Sequence, residues 1–240
     1  MKIGLVVPTA ESRVSPEGAL MYPGVNFVPQ GTGVGSLTPE GYDQAMDKVI
    51  PAADKLAEQG VDVISLFGTS LTFYRGPQFN EDLQAEVRKR TGLPVSSMST
   101  AIIQGLKAVG AKKVAVATAY SKVVNDKLQE LLEFHGFEVG ALESFGITQF
   151  GGGGTGSGAG AKSAEDIIDL ASTAHANTPK ADAILISCGG LKTLNVQKPL
   201  EDKHGLPVVS STPAAFWDVV RLAGLPAKVK GYGQLFEQTN

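Results

Sequence analysis

The chain has 240 residues, 42% of them apolar, a formal net charge of -3 and one cysteine. That length suits one large domain or two small ones, and the composition excludes an intrinsically disordered chain. The 21 basic residues form no run or stripe, which argues against a nucleic-acid or membrane partner, while a lone cysteine and the lack of any CxxC pair or His/Cys cluster exclude an internal disulfide and a structural zinc site.

In chain order, Met1-Lys2 leads straight into the apolar Ile3 to Val7, a candidate strand far too short for a signal-peptide core. No later apolar run approaches the roughly 20 residues of a membrane span. A soluble, unexported chain with a free thiol is expected in the cytoplasm, with a small molecule as its partner. Gln30 to Ser36, Q-G-T-G-V-G-S, follows a proline-containing segment and reads as a loop that directs Val34 and Leu37 toward a cleft. Helical periodicity covers Tyr42 to Glu58, Glu81 to Arg90, Met98 to Val109, Ser121 to Phe134, Ser163 to Ala176 and Pro213 to Leu222. Between them stand apolar runs at Val61 to Phe67, Val114 to Thr118 and Ala183 to Ser187, and Gly60, Gly110, Gly136 and Gly224 fall where helix C-caps belong. The alternation predicts an α/β fold with buried parallel sheet.

The glycine tract from Gly151 to Ser163 ends in a near miss of the phosphate-binding G-x-x-x-x-G-K-[ST], with Ala161 where the second glycine belongs. Its preceding segment, S-F-G-I-T-Q-F, is a poor buried strand, and no apolar strand ending in Asp supplies a magnesium partner. The tract reads as a flexible loop over the cleft rather than a nucleotide site.

The chain also repeats itself. V-D-V-I-S-L-F-G-T-S-L from Val61 aligns with A-D-A-I-L-I-S-C-G-G-L from Ala181, so that Gly68 matches Cys188. G-L-P-V-S-S-M-S-T-A from Gly92 aligns with G-L-P-V-V-S-S-T-P-A from Gly205, and Lys2-Ile3 with Lys113-Val114. Three pairs in one order predict two pseudo-twofold-related Rossmann-like domains with parallel sheets, residues 1–110 with 211–240 and residues 111–210. The active site then lies in the cleft between them, at the carboxyl ends of the strands. Those ends carry Pro8, Thr9, Gly68 to Ser70, Tyr120 and Cys188 to Gly190.

Taken alone, Cys188 reads first as a buried core thiol, but it stands where an apolar strand gives way to two glycines. Gly189 and Gly190 permit close backbone approach, and a helix starting there would aim its N–H groups at a carboxylate. His135 lies beside a C-cap glycine, His175 in a helix and His204 in a loop, so a Cys/His nucleophile is disfavoured. Thr69 and Ser70 are on their own an ordinary N-cap; opposite Cys188 they become a donor cluster for negative oxygen, to which Tyr120 adds a phenol unless it faces solvent.

These residues resemble the aspartate/glutamate racemase superfamily, and within it a decarboxylase branch. The resemblance spans nearly the whole chain and is most specific in T-P-E-G-Y-D (Thr38 to Asp43), G-T-S-L-T-F-Y-R-G (Gly68 to Gly76), M-S-T-A (Met98 to Ala101), A-T-A-Y (Ala117 to Tyr120), S-C-G-G-L (Ser187 to Leu191) and S-S-T-P-A-A-F-W-D-V-V-R-L-A-G (Ser210 to Gly224). Racemases and isomerases of the superfamily carry a cysteine in each half; here Gly68 takes the first cysteine's place. The resemblance therefore implies a cofactor-free, metal-free, enantioselective decarboxylase of α-aryl or α-alkenyl malonates, a monomer whose partner is a small dicarboxylate. It implies that Cys188 protonates the enediolate, that Thr69, Ser70, Tyr120 and the N–H groups of Cys188 and Gly189 hold the retained carboxylate, and that Pro8, Val34, Leu37, Tyr42, Leu71 and Phe150 form an apolar pocket for the departing one. Thr9, Phe150 and Gly153 depart from the family's pattern and bear on pocket size. A racemase or isomerase with a one-cysteine mechanism and a non-catalytic carboxylate-binding relative are the competing readings.

Overall fold

The computed structural model describes residues 1–149 and 158–237. The apolar runs become parallel strands because both faces of each are covered, which favours continuous rather than alternating hydrophobicity. The first half runs β1 (Lys2–Val7), α1 (Pro16–Met21), β2 (Asn26–Gly31), α2 (Pro39–Met46), α3 (Val49–Glu58), β3 (Val63–Leu66), α4 (Thr69–Phe73), α5 (Pro77–Thr91), β4 (Val95–Ser97) and α6 (Met98–Ala108). The second runs β5 (Lys113–Tyr120), α7 (Lys122–Phe134), β6 (Glu138–Ile147), α8 (Ala164–Ala176), β7 (Ala183–Ser187), α9 (Gln197–His204), β8 (Val208–Ser210) and α10 (Ser211–Leu222).

The two sheets have orders β2-β1-β3-β4 and β6-β5-β7-β8, all parallel. Their registers repeat: Ile3 pairs with Val63 and Val114 with Ala183, while Ile64 pairs with Val95 and Ile184 with Val208. The duplication in the sequence is thus a duplication of backbone pairing, and the α/β class is borne out. The last helix, α10, returns to pack on α6. On α10, Phe216 meets Phe27 edge-on and packs at a tilt against Phe67, the residue before Gly68.

Several sequence expectations need correction. Helix Tyr42 to Glu58 is two helices, because Pro51 cannot donate to the carbonyl four residues back and forces a break near Asp47. The proline-containing segment before Gln30 is itself a strand; β2 is an edge, where Pro29 costs no ladder bond needed by a further neighbour. Part of S-F-G-I-T-Q-F belongs to β6, the half-exposed edge of the second sheet. His204 ends α9 and stacks against His175 at a centroid distance of 4.5 Å. No helix starts at Gly189: residues 188–191 form a turn closed by Leu191 N–H donating to the Cys188 carbonyl at 3.1 Å. Among the described residues no helix is long and apolar enough to cross a membrane.

Candidate active site

Two strand-end turns meet across the cleft. In the first, β3 runs out at Leu66, and Gly68 turns the chain into α4 with φ +114°, a conformation that L side chains rarely adopt. A Cβ at Gly68 would stand 3.3 Å from Leu71 Cβ and 3.9 Å from Pro8 Cβ, which puts Pro8 and Leu71 beside this turn. Thr69 and Ser70, both buried, follow on the first turn of α4. In the second, Cys188 follows β7, is 5% exposed, and has the N–H groups of Gly190 and Leu191 near its sulfur, which favour the thiolate. Burial outweighs these donors and pushes the thiol up to about 11, so it is protonated at neutral pH.

Tyr120, at the end of β5, has no exposed surface, which rules out the solvent-facing alternative. Its hydroxyl lies among Thr69, Ser187 and Cys188, and burial raises it well above the usual phenol range. Its backbone is fixed by a motif the sequence reading missed: Asn125 Nδ2 donates to the Tyr120 carbonyl at 3.2 Å, and Thr118 Oγ1 donates to Asn125 Oδ1 at 2.7 Å. An inward Asn four residues after an N-cap serine was the available signal.

Tyr42 was expected only as pocket wall. Its ring is buried against Tyr74, but its hydroxyl reaches toward Ser70 and Cys188 and makes no hydrogen bond of normal geometry. α2 is fastened there by Tyr74 Oη donating to Asp43 Oδ1 at 2.5 Å and by an Arg75–Asp43 ion pair, which together hold the Asp43 carboxyl below its ordinary range. Val34 N–H donates to the Pro8 carbonyl at 2.8 Å, and Leu37 N–H donates to the Thr148 carbonyl in the second half, also at 2.8 Å. The segment from Thr32 to Leu37 therefore straps the cleft, with Val34 and Leu37 both buried.

The N–H of Cys188 is not free for a ligand, contrary to expectation: it donates to Ser211 Oγ at 3.2 Å. Gly189 N–H has no partner among the described residues. Close approach at Gly189 is made by Met98, whose Cε would lie 3.2 Å from a Cβ there. At Gly190 the neighbour is Ala159, 3.0 Å from the corresponding Cβ position. The far end of the glycine tract thus reaches the cysteine turn. No three His, Cys, Asp or Glu side chains converge as a metal site among the described residues.

A model of the arylmalonate decarboxylase family matches residues 3–236. The chain belongs to the arylmalonate decarboxylase family. An arylmalonate decarboxylase from Bordetella bronchiseptica is 45% identical over 99% of this chain and 97% of its own. A crystal structure of a double mutant of arylmalonate decarboxylase in the liganded form superimposes with a TM-score of 0.93 at 43% identity, covering 99% of each chain. A maleate isomerase from Nocardia farcinica is 26% identical over 99% of this chain and 96% of its own. Within the arylmalonate decarboxylase frame, the second half supplies the thiol and the first supplies Gly68 at the matching place. Of the three departures, Thr9 accepts the Arg13 N–H at 3.4 Å through Oγ1; Phe150 and Gly153 lie outside the described residues, as does most of the glycine tract.

Proposed function

We propose that the chain is a cofactor-free, enantioselective decarboxylase of α-aryl or α-alkenyl malonates. The observation that carries this reading is a single buried, protonated thiol, Cys188, beside Gly189, with the Gly68 turn packed on the same Met98 side chain that meets Gly189, so that a thiol stands in one half and a glycine at the matching place of the other. One acid on one face suits a reaction that makes its carbanion without a base. The retained carboxylate is held by Thr69, Ser70, the Tyr120 hydroxyl and Gly189 N–H, donors that strengthen as charge moves onto both oxygens of the enediolate. The departing carboxylate lies against Pro8, Val34, Leu37 and Leu71, where water is excluded. Cleavage of the bond between the α-carbon and that carboxylate releases CO2 and leaves the electron pair in the enediolate, which conjugation with the aryl or alkenyl group stabilises. No external electron sink is then required. The Sγ–H proton passes to the α-carbon, and the thiolate recovers a proton from water.

Incubation with phenylmalonate and with α-methyl-α-phenylmalonate, after chelation of metals, should yield CO2, and from the second substrate one enantiomer of 2-phenylpropionate. No CO2 from either substrate defeats the proposal. Rapid exchange of the product's α-proton in D2O would instead favour the isomerase-like alternative, and tight carboxylate binding without turnover the binding-protein alternative.

A further inference from the structure

The two halves grip their strand-end turns with the same pair of contacts. In the first, Gly68 N–H donates to Met98 Sδ at 2.9 Å and Ser99 Oγ donates to the Thr69 carbonyl at 3.2 Å. In the second, Cys188 N–H donates to Ser211 Oγ at 3.2 Å and Thr212 Oγ1 donates to the Gly189 carbonyl at 3.3 Å. Met98 and Ser99 open α6; Ser211 and Thr212 open α10 at the matching places of the repeated G-L-P-V segments. Each turn is held at the N–H of its first residue and the carbonyl of its second.

We propose that Ser211 and Thr212 are positioning residues that set the Cys188 thiol against the bound carboxylate. The inference rests on the reading of Cys188 as proton donor. A peptide group is planar, so a hydrogen bond at either end restrains the direction of both its N–H and its carbonyl. Three consecutive units are pinned in this way. Ser211 holds the unit entering Cys188, the Leu191 N–H holds the one between Cys188 and Gly189, and Thr212 holds the one leaving Gly189. In a trans unit the N–H points opposite to the carbonyl, so Leu191, by holding the Cys188 carbonyl, aims Gly189 N–H the other way. The sulfur and the carboxylate donor thus share one rigid frame, and a displacement of about 1 Å in such a frame costs roughly a hundredfold in rate. All four gripping side chains are buried, so the loss of one leaves a backbone group without water to replace it.

The test compares wild type with Ser211→Ala, Ser211→Thr and Thr212→Val on α-methyl-α-phenylmalonate, reading kcat, KM and enantiomeric purity, alongside the rate of Cys188 alkylation by iodoacetamide. Ser211→Ala should lower kcat by about tenfold or more with KM changed less than about threefold, lower the purity and speed alkylation; Ser211→Thr, which keeps the oxygen, should restore all of these. Thr212→Val should raise KM more than it lowers kcat. Wild-type kcat, purity and alkylation rate in a folded Ser211→Ala variant would overturn the proposal, as would a change confined to the melting temperature. If Ser211→Ala does not fold, the KM and alkylation rate of Thr212→Val decide the matter. Should wild type release no CO2, the functional reading fails, while the alkylation comparison still shows whether Ser211 fixes the thiol.

Discussion

The turns at Gly68 and Cys188 occupy equivalent places in two sheets of equal order and register, yet they present different chemistry. At Gly68 the backbone takes φ +114° and feeds directly into α4, so the first half offers hydroxyl side chains from a helix start. At Cys188 φ is not positive; the chain makes a tight turn instead, and the second half offers a thiol and a backbone N–H. The difference shows that a duplicated frame fixes where groups stand but leaves their kind to local backbone geometry. Exchanging one residue is therefore not the same as exchanging the two turns.

The comparison is most sharply broken at the thiol. Cys188→Ala should lower CO2 release by about 10²- to 10⁴-fold, the range of a general acid, while circular dichroism and melting temperature stay near wild type. Near-normal activity would remove the thiol from the mechanism. Across the cleft, Tyr120→Phe or Thr69→Val removes one of the proposed carboxylate donors and should lower kcat by about 10²- to 10³-fold in steady-state assays.

Gly68→Cys tests whether the first turn can carry a second thiol. The positive φ and the 3.3 Å approach to Leu71 should cost about 1–2 kcal/mol in thermal unfolding, a loss shared by Gly68→Ala. Only the cysteine variant should exchange the product's α-proton in D2O. For Tyr42→Phe, deletion of a buried hydroxyl without a good partner should change stability by no more than about 1 kcal/mol, in the favourable direction, by chemical denaturation.

The smallest effect is expected from pH. The thiol's folded-state value is raised by burial to about 11, so the protonated form that the proposed mechanism uses persists through neutral and mildly alkaline solution. As far as the thiol sets it, kcat/KM should stay flat to about pH 9 and fall only as pH rises toward 11. The same shift means that the folded state is favoured by the protonated thiol below the ordinary value of 9.0 and loses that preference between 9.0 and about 11. A decline of kcat/KM centred near the ordinary value of 9.0 would place the thiol in ordinary solvent.

Much of the frame was legible because parallel strands advertise themselves as apolar runs. β1, β3, β5 and β7, the inner strands, were read from the sequence, and the edge or short strands β2, β4, β6 and β8 were not. β2 and β6 are only partly buried, and β4 and β8, though buried, have three residues each, too few to show a period. The strand-end residues were legible through the repeat, which singled out Gly68 and Cys188 without any structure. What the repeat concealed was the layer behind them. Ser211 and Thr212 lie in a segment that carried the repeat and the family resemblance but no assigned role, Asn125 carried only the faint signal of an inward Asn after an N-cap serine, and Ala159 comes near the site through folding that no local pattern encodes. Pro51 carried a signal that the helical period masked.

The strap from Thr32 to Leu37 has one more consequence. It begins at β2 in one sheet and ends hydrogen-bonded to Thr148 beyond β6 in the other, with Ser36 bridged to Gln149. Val34 is anchored to the near side and Leu37 to the far side, so the segment acts as a tie-bar: prising the halves apart strains backbone bonds at both of its ends. The wall of the proposed apolar pocket is thus made from the same few residues that limit how wide the cleft can open, and pocket shape and domain spacing cannot be altered independently by changing them.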